Sequence, residues 1–364
     1  MKAIVISQAG ATPEIRDDVE VPEPGEGQIL VKTLYTAVNP VYDIQPFLSP
    51  SDTMMSAYGA LVSSWPFTPG CDVSGVVVKT GSNATSPLGG AFKEGDHVFT
   101  CSRLGVKGHT AWGEYLLLDA PVTIPKPSNI SLAQASATGV GIFTAALGIF
   151  GKLGIPLPDS AAPSQQRNEW ALVFGGAGSV GQFSVQLLKI SGFKVVTTCS
   201  TKSFDLLRSI GADVTVDYKL TSTEIVGQIH RITGGELNYA FDAVSVNNAL
   251  LTELYAELAR PPHANTRFYT TTNDFDALPT STPSNPFTAN SIQLGPIGKP
   301  EATELNAQLN SYIPVLYKLL ESGALKTSEY SVEGEGFEGI LKAWDVQKSG
   351  VKGSVKVVAK VADE

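Results

Sequence analysis

The sequence predicts an α/β protein in which a doubly wound parallel sheet is carried within a mostly β domain, and three observations predict it. At 364 residues the chain exceeds what one core of ordinary size fills, so two domains are expected. From about residue 170 strand-like and helix-like segments alternate regularly, whereas the first third holds short strands separated by turn residues. At the start of the alternating region, between its first strand and first helix, stands Gly176-Ala177-Gly178-Ser179-Val180-Gly181.

Taken in order, Met1 to Ile6 is a short strand-like run, too short to be the apolar core of a secretory signal, so the protein is expected to be cytoplasmic. Gln28 to Tyr35 alternates, Val73 to Val78 is β-branched, and Gly95-Asp96 makes a turn ahead of the strand His97-Val98-Phe99. The longest apolar stretch, Ala137 to Leu157, is interrupted by five glycines and a lysine and reads as buried helix and turn rather than a membrane span. A polar loop from Pro158 to Asn168 precedes the alternating region. Ala171 to Phe174 is its first strand, and Val180, Phe183, Leu187 and Ile190 share one helical face. Lys194 to Thr198, Val214 to Val216, Tyr239 to Ala243 and Arg267 to Thr271 follow as strands. Helical patterns separate them, marked by Phe204, Leu207 and Ile210, by Ile225, Ile229 and Ile232, and by the run Asn248 to Leu258. Right-handed βαβ crossovers then give a parallel sheet of the Rossmann kind, covered on both faces. After Pro300 a helix around Tyr312 to Leu320 and a closing strand, Ser354 to Val361, lack a core of their own and are expected to pack on the N-terminal domain. The expected division is therefore 1–130 and 300–364 for a discontinuous catalytic domain and 131–299 for the nucleotide-binding one.

Charge narrows the function. The chain is 43% hydrophobic and 17% charged with a formal net charge of −9, and no lysine- or arginine-rich stripe offsets that balance. Nucleic acid and anionic membrane are therefore excluded as expected partners, and small-molecule chemistry is favoured. Cys71, Cys101 and Cys199 are odd in number and widely spaced, and His97, His109, His230 and His263 lack ligand-like spacing, so neither a disulfide framework nor a metal site is expected.

The glycine segment carries the chemistry. Glycines at its first, third and sixth positions permit a tight turn, close approach of a phosphate and close helix packing, and the helix N-terminus after them offers amide donors to a pyrophosphate. Gly176, Ala177, Gly178, Ser179, Val180 and Gly181 are thus candidate cofactor contacts, with Thr271 at the end of the fifth strand. The end of the second strand, where an acidic residue would select NAD, reads Ser200-Thr201-Lys202-Ser203. Hydroxyls and an ammonium there would accept a ribose 2′-phosphate, so NADPH is the expected cofactor, although Lys202 also reads as a solvated helix-start residue. Tyr218 could reach the same phosphate or stack on the adenine.

Further segments carry a family resemblance: Asn39-Pro40, Pro69-Gly70-Cys71-Asp72-Val73-Ser74-Gly75, Gly95-Asp96-His97-Val98, Gly113-Glu114-Tyr115 and Ser349-Gly350-Val351-Lys352-Gly353. With the glycine turn they resemble the zinc-independent, quinone-reductase-like branch of the medium-chain dehydrogenase/reductase superfamily. Thr144-Ala145-Ala146-Leu147, Leu153 to Pro158, Thr198-Cys199-Ser200 and Phe204-Asp205-Leu206 are similar to fungal trans-acting enoyl reductases of polyketide biosynthesis. The resemblance implies a GroES-like catalytic domain. It places Asn39, Pro40 and Asp43 on the nicotinamide side and Phe143 and Thr144 near substrate and cofactor, with Thr144 and Tyr58 as catalytic candidates. Relatives carry a lysine after the Asn-Pro-x-Asp segment, but Asn39-Pro40-Val41-Tyr42-Asp43-Ile44-Gln45 has none, leaving that role vacant or passing it to Gln45, Tyr42 or Tyr58. A phenol such as Tyr58 can donate to an enolate, although a tyrosine beside glycine in a loop is more often a packing residue.

Zinc-dependent relatives have a histidine and a glutamate where Cys71 and Asp72 stand, and the early cysteine they supply is absent near Asn39 to Asp43. Cys71 is accordingly read as a buried small apolar residue and His109 as a surface loop histidine. Without a Lewis acid, reduction of an already activated acceptor is the expected reaction: NADPH-dependent hydride addition to the β-carbon of an α,β-unsaturated carbonyl or thioester. The resemblance implies a carrier-bound acyl substrate and a polyketide synthase as partner, the chain acting as monomer or homodimer. A stand-alone quinone or small-enone reductase and a low-turnover NADPH-binding protein remain the alternatives.

Overall fold

A computed structural model describes residues 1–39, 52–159, 165–258, 267–283, 285–350 and 353–364. The N-terminal part contains β1 (Ala3–Val5), β2 (Glu14–Arg16), β3 (Gln28–Val38), α1 (Asp52–Tyr58), β4 (Asp72–Thr80), β5 (His97–Cys101), β6 (Tyr115–Asp119), β7 (Ile124–Pro125), α2 (Leu132–Ser136) and α3 (Gly139–Ala146). The middle contains β8 (Trp170–Phe174), α4 (Ser179–Ile190), β9 (Lys194–Cys199), α5 (Phe204–Ser209), β10 (Val214–Asp217), α6 (Ser222–Thr233), β11 (Tyr239–Asp242), α7 (Asn248–Glu257), β12 (Phe268–Thr271) and β13 (Thr288–Ser291). Last come α8 (Thr303–Glu321), β14 (Tyr330–Glu335), α9 (Gly336–Lys348) and β15 (Lys356–Lys360).

The chain divides into two compact units, one formed by 1–143, 294–323 and 327–364 and the other by 144–293 and 324–326. In the second, six parallel strands lie in the order β10-β9-β8-β11-β12-β13. The chain winds from β8 outward to β10, returns, and winds from β11 outward to β13, so the order reverses between β8 and β11. Ligands of such sheets bind at that reversal, beyond the carboxyl ends of the strands. Leu172, Val196, Ile225, Ile229, Leu251 and Tyr269 share the core beneath it. Local chemistry sets the helix limits: Thr221 and Glu224 form a capping box ahead of α6, and Gly234 ends that helix at φ 65°.

In the first unit seven strands form one sheet in the order β14-β15-β3-β4-β5-β7, with β6 also paired to β3. The last strand of the chain is thus an inner strand, antiparallel to β3 and parallel to β14. Ile29, Val73, Val98 and Leu116 form one core cluster, and Trp112, Phe337, Trp344 and Val357 another.

The expected fold class holds, with differences at the margins. Arg267 to Thr271 does not close the parallel series, because β13 adds a sixth strand whose Thr288-Ala289-Asn290-Ser291 has no apolar alternation to announce it. The apolar stretch after Ala137 is α3 followed by a π-helical turn over Leu147–Lys152. α8 runs through Pro314 and is longer than its central pattern suggested, held by the buried face of Leu309, Ile313, Leu316 and Leu320. Among the described residues no helix is long and apolar enough to cross a membrane.

Candidate functional site

The glycine turn lies where the sheet order reverses. Gly175, at φ 72°, leaves β8, and its amide donates to Thr198 Oγ1 at 3.0 Å. The Gly176 amide donates to the Thr198 carbonyl at 3.0 Å, which ties the turn to β9. A Cβ on Gly176 would lie 2.1 Å from Thr197 Oγ1, and one on Gly181 would lie 2.2 Å from the Gly175 carbonyl oxygen. Only glycine allows helix, turn and strand to approach this closely. Gly178 is the N-cap of α4 and gives it no side-chain cap, so the positive end of the helix dipole is open to an external anion. A cradle made of backbone and emptied of side chains suits the pyrophosphate of a dinucleotide.

Beyond β9, Thr201–Ser203 forms a 3-10 turn that sets Ser200 Oγ 3.4 Å from Ser203 Oγ. Thr201 and Lys202 are exposed, Ser200 is half-buried and Ser203 is buried. Tyr218 is 56% exposed on the adjoining edge, where its amide donates to the Cys199 carbonyl at 3.1 Å. The structure thus brings Ser200, Thr201, Lys202, Ser203 and Tyr218 to one corner of the sheet. It also brings Asp217, which sequence reasoning passed over and whose carboxylate accepts from the Lys219 amide at 3.1 Å. Burial, with Asp217 adding to it, pushes the Cys199 thiol up to about 11.

Thr271 is wholly buried, and its hydroxyl faces Asp242 Oδ2 at 3.4 Å. Asp242, at the end of β11, is also wholly buried and was not anticipated; its one sequence signal is a carboxylate closing an otherwise apolar strand. Burial raises its pKa against the hydrogen bonds from Asn247.

In the first unit, five polar side chains meet in the interior. Lys356 Nζ donates to Asp72 Oδ2 at 2.8 Å and to Asn39 Oδ1 at 2.5 Å. Asn39 turns its Nδ2 toward Cys71 Sγ at 3.1 Å and Asp52 Oδ2 at 3.3 Å, and its backbone amide reaches the same carboxylate at 2.8 Å. Asp72 Oδ1 accepts from the Val140 amide at 2.7 Å, and Cys71 Sγ lies 3.6 Å from Asp52 Oδ1. The Asn39 amide is therefore committed to the interior. Burial pushes Asp52 up to about 6, the Asn39 amide and Lys356 drawing it back only partly. Pro40 and Asp43, with Tyr42 and Gln45, lie outside the described residues, as does His263.

Two expectations need correcting. Cys71 is buried, but its surroundings are polar, and a hydrogen bond with Cys101, with burial added, raises its thiol well above the ordinary value. His109 is only 5% exposed and is not a surface residue; burial, helped by Arg103, lowers its pKa to about 4. A neighbour supplied by β6 through Leu117 was invisible in the local Gly-His-Thr sequence. Tyr58 ends α1 at 65% exposure, Phe143 is wholly buried in α3 and Thr144 nearly so.

A metal ion does not fit the Cys71 cluster. Asp72 there is already paired with an ammonium, and among the described residues no three histidine, cysteine, aspartate or glutamate side chains converge to hold a metal.

Comparison with known proteins agrees with this geometry. Residues 25–128 match the family model described as alcohol dehydrogenase GroES-like domain, and 179–260 match that described as zinc-binding dehydrogenase. The chain is 30% identical over 333 residues to the enoyl reductase component of lovastatin nonaketide synthase from Aspergillus terreus, a match covering 86% of each chain. It is 32% identical over 254 residues to a trans-enoyl reductase of Penicillium crustosum, which covers 66% of this chain and 63% of that one. A mycobacterial structure complexed with NADPH has the same fold, with a TM-score of 0.72 at 22% identity over 99% of both chains. The chain belongs to the medium-chain dehydrogenase/reductase superfamily, oxidoreductases that work with a nicotinamide dinucleotide.

Proposed function

We propose that the protein is an NADPH-dependent enoyl reductase that acts without zinc on an α,β-unsaturated carbonyl or thioester, its acyl substrate presented by a polyketide synthase. The observation that carries the cofactor choice is the end of β9, which supplies Ser200, Thr201, Lys202 and Ser203 and no carboxylate, the Asp217 of the same corner belonging to β10 and accepting from the Lys219 amide. A 2′-phosphate there meets hydroxyl donors and an ammonium, whereas a ribose 2′-hydroxyl finds no acidic partner on that strand. The enoyl acceptor is supported by the names of the curated relatives, a trans-enoyl reductase and the enoyl reductase component of a polyketide synthase.

NADPH, when bound, supplies a hydride to the β-carbon of the acceptor. The protein's part is to bind and orient. The Gly176, Ala177, Gly178, Ser179, Val180 and Gly181 turn holds the pyrophosphate with backbone amides, and Ser200, Thr201, Lys202, Ser203 and Tyr218 gather about the adenosine phosphate. Tyr58, a phenol of the kind that can donate to an enolate, and Thr144 are the proposed catalytic hydroxyls, and Phe143 and Thr144 the proposed substrate contacts. The Asn39, Asp52, Asp72 and Lys356 cluster takes a structural part: its ammonium already balances the charge that a metal would balance elsewhere.

The test is purified protein with NADPH or NADH and a panel of crotonyl-type thioesters, simple enones and quinones, followed by nicotinamide absorbance, with the reduced acyl product identified. NADPH should be favoured by about tenfold or more, the worth of one charge-assisted contact, and a chelator should leave the rate unchanged. Equal turnover with NADH, or quinones reduced faster than every thioester, counts against the reading.

A further inference from the structure

The dinucleotide crevice has two walls in the second unit, the glycine turn after β8 and the loop 243–247 after β11, and the second is built around one carboxylate. Asp242 Oδ1 accepts from the Val244 amide at 3.1 Å and from Asn247 Nδ2 at 2.9 Å. Its Oδ2 accepts from the Asn247 amide at 2.9 Å, with the Thr271 hydroxyl 3.4 Å away. A five-residue loop is thus wrapped around a buried acceptor that offers lone pairs to both of its ends. Its middle residue, Ser245, is held at φ 65°, a left-handed conformation that a serine rarely adopts without support. That support comes from the two residues that follow β12: Ser245 Oγ meets Thr272 Oγ1 at 2.7 Å, and Asn273 Nδ2 donates to the Ser245 carbonyl at 2.9 Å.

The wrapped loop reaches the phosphate cradle through Val244. A Cβ on Gly175 would lie 2.3 Å from Val244 Cγ1, so the valine fills the space that the glycine leaves beside the turn. The route is short: carboxylate to Val244 amide, valine side chain to Gly175, Gly175 to the cradle.

Resting on the dinucleotide reading above, we propose that Asp242 is a positioning residue for the cofactor: by fixing the loop 243–247 it holds Val244 against Gly175 and shapes the crevice wall facing the pyrophosphate and nicotinamide end. Asp242 is wholly buried, so its part is played through the loop. Replacing its carboxylate by an amide keeps the volume but puts an NH2 group against the Asn247 donors, so the loop loses part of its anchor while the sheet stays packed. The adenosine end, held at the edge of β9, should not register the change.

The experiment is calorimetric titration of wild type and Asp242→Asn with NADPH and, separately, with adenosine 2′-monophosphate, which carries neither pyrophosphate nor nicotinamide. NADPH affinity should fall about tenfold, as expected for a buried acceptor lost, while adenosine 2′-monophosphate binds within about twofold of wild type. Should D242N fail to fold, Val244→Ala removes the wedge alone and should weaken NADPH about threefold with the same selectivity, one or two methyl contacts being lost. Unchanged NADPH affinity in a wild-type background that does bind it overturns the positioning role alone, as does an equal loss of both ligands. A wild type that takes up no NADPH overturns the underlying reading and this one with it.

Discussion

The interior of the first unit and the crevice edge of the second handle charge in opposite ways. Around Lys356 the protein brings its own ions, two aspartates and an ammonium, and satisfies them internally. At Gly176 to Gly181 it withdraws side chains and offers backbone alone. The first arrangement is closed, since each charge already has a partner and a newcomer must displace one. The second is open, because amide donors at a helix N-terminus are complete only when something anionic arrives. A recognition site is therefore better marked by missing side chains than by an assembly of charged ones.

The comparison can be broken first at Lys356. Lys356→Met leaves Asp72 buried without its cation, and a chemical denaturation curve should show a loss of roughly 3–5 kcal/mol. A loss below about 1 kcal/mol would mean that the cluster is not the brace described.

Asp52 gives the next largest effect, read through pH. Burial disfavours its anion, so between the ordinary value of 3.8 and about 6 the folded protein keeps a proton that the unfolded chain has released. Stability tied to that proton is present below this window and is lost as pH rises through it. His109 works in reverse: held near 4 against an ordinary 6.5, it stays neutral while the unfolded chain takes up a proton, so its contribution is lost as pH falls through that range. The two nearly cancel in wild type. Asp52→Asn removes the carboxyl effect alone, so relative to wild type its stability should climb by roughly 2–3 kcal/mol from pH 4 to 6.5. Melting temperatures that run parallel to wild type across this range would contradict the assignment.

The smallest of the three effects on stability falls on the open site. Gly181→Ala pushes a methyl into the Gly175 carbonyl and should cost about 1–3 kcal/mol, while abolishing NADPH uptake in a fluorescence titration. Unaltered uptake would show that the cradle is not where the phosphates sit.

What the sequence made legible followed from local pattern. Strands β8 to β12 announce themselves through β-branched and aromatic runs, and the glycine turn through spacing alone, because each rests on neighbours a few positions away. Thr288 to Ser291 joins the sheet through ladder hydrogen bonds at its edge and shows no hydrophobic period, so β13 stayed hidden. The polar cluster was hidden for another reason. Lys356 lies 284 positions from Asp72 and 317 from Asn39, and nothing around any of the three forecasts the meeting. Asp242 was missed because one carboxylate at a strand end looks like a turn residue until the donors around it are seen.

The inner position of β15 has a consequence for how the protein is made. Residues 144–293, the bulk of the second unit, leave the ribosome while the sheet of the first still lacks the strand between β14 and β3. At ordinary translation speeds Asn39 waits roughly 15–60 s for the lysine 317 positions downstream. Until β15 is made, Tyr35 to Val38 of β3 lack the strand that pairs them and Asp72 lacks its ammonium, so the nascent chain carries an open stretch of sheet edge and a carboxylate without its counter-ion.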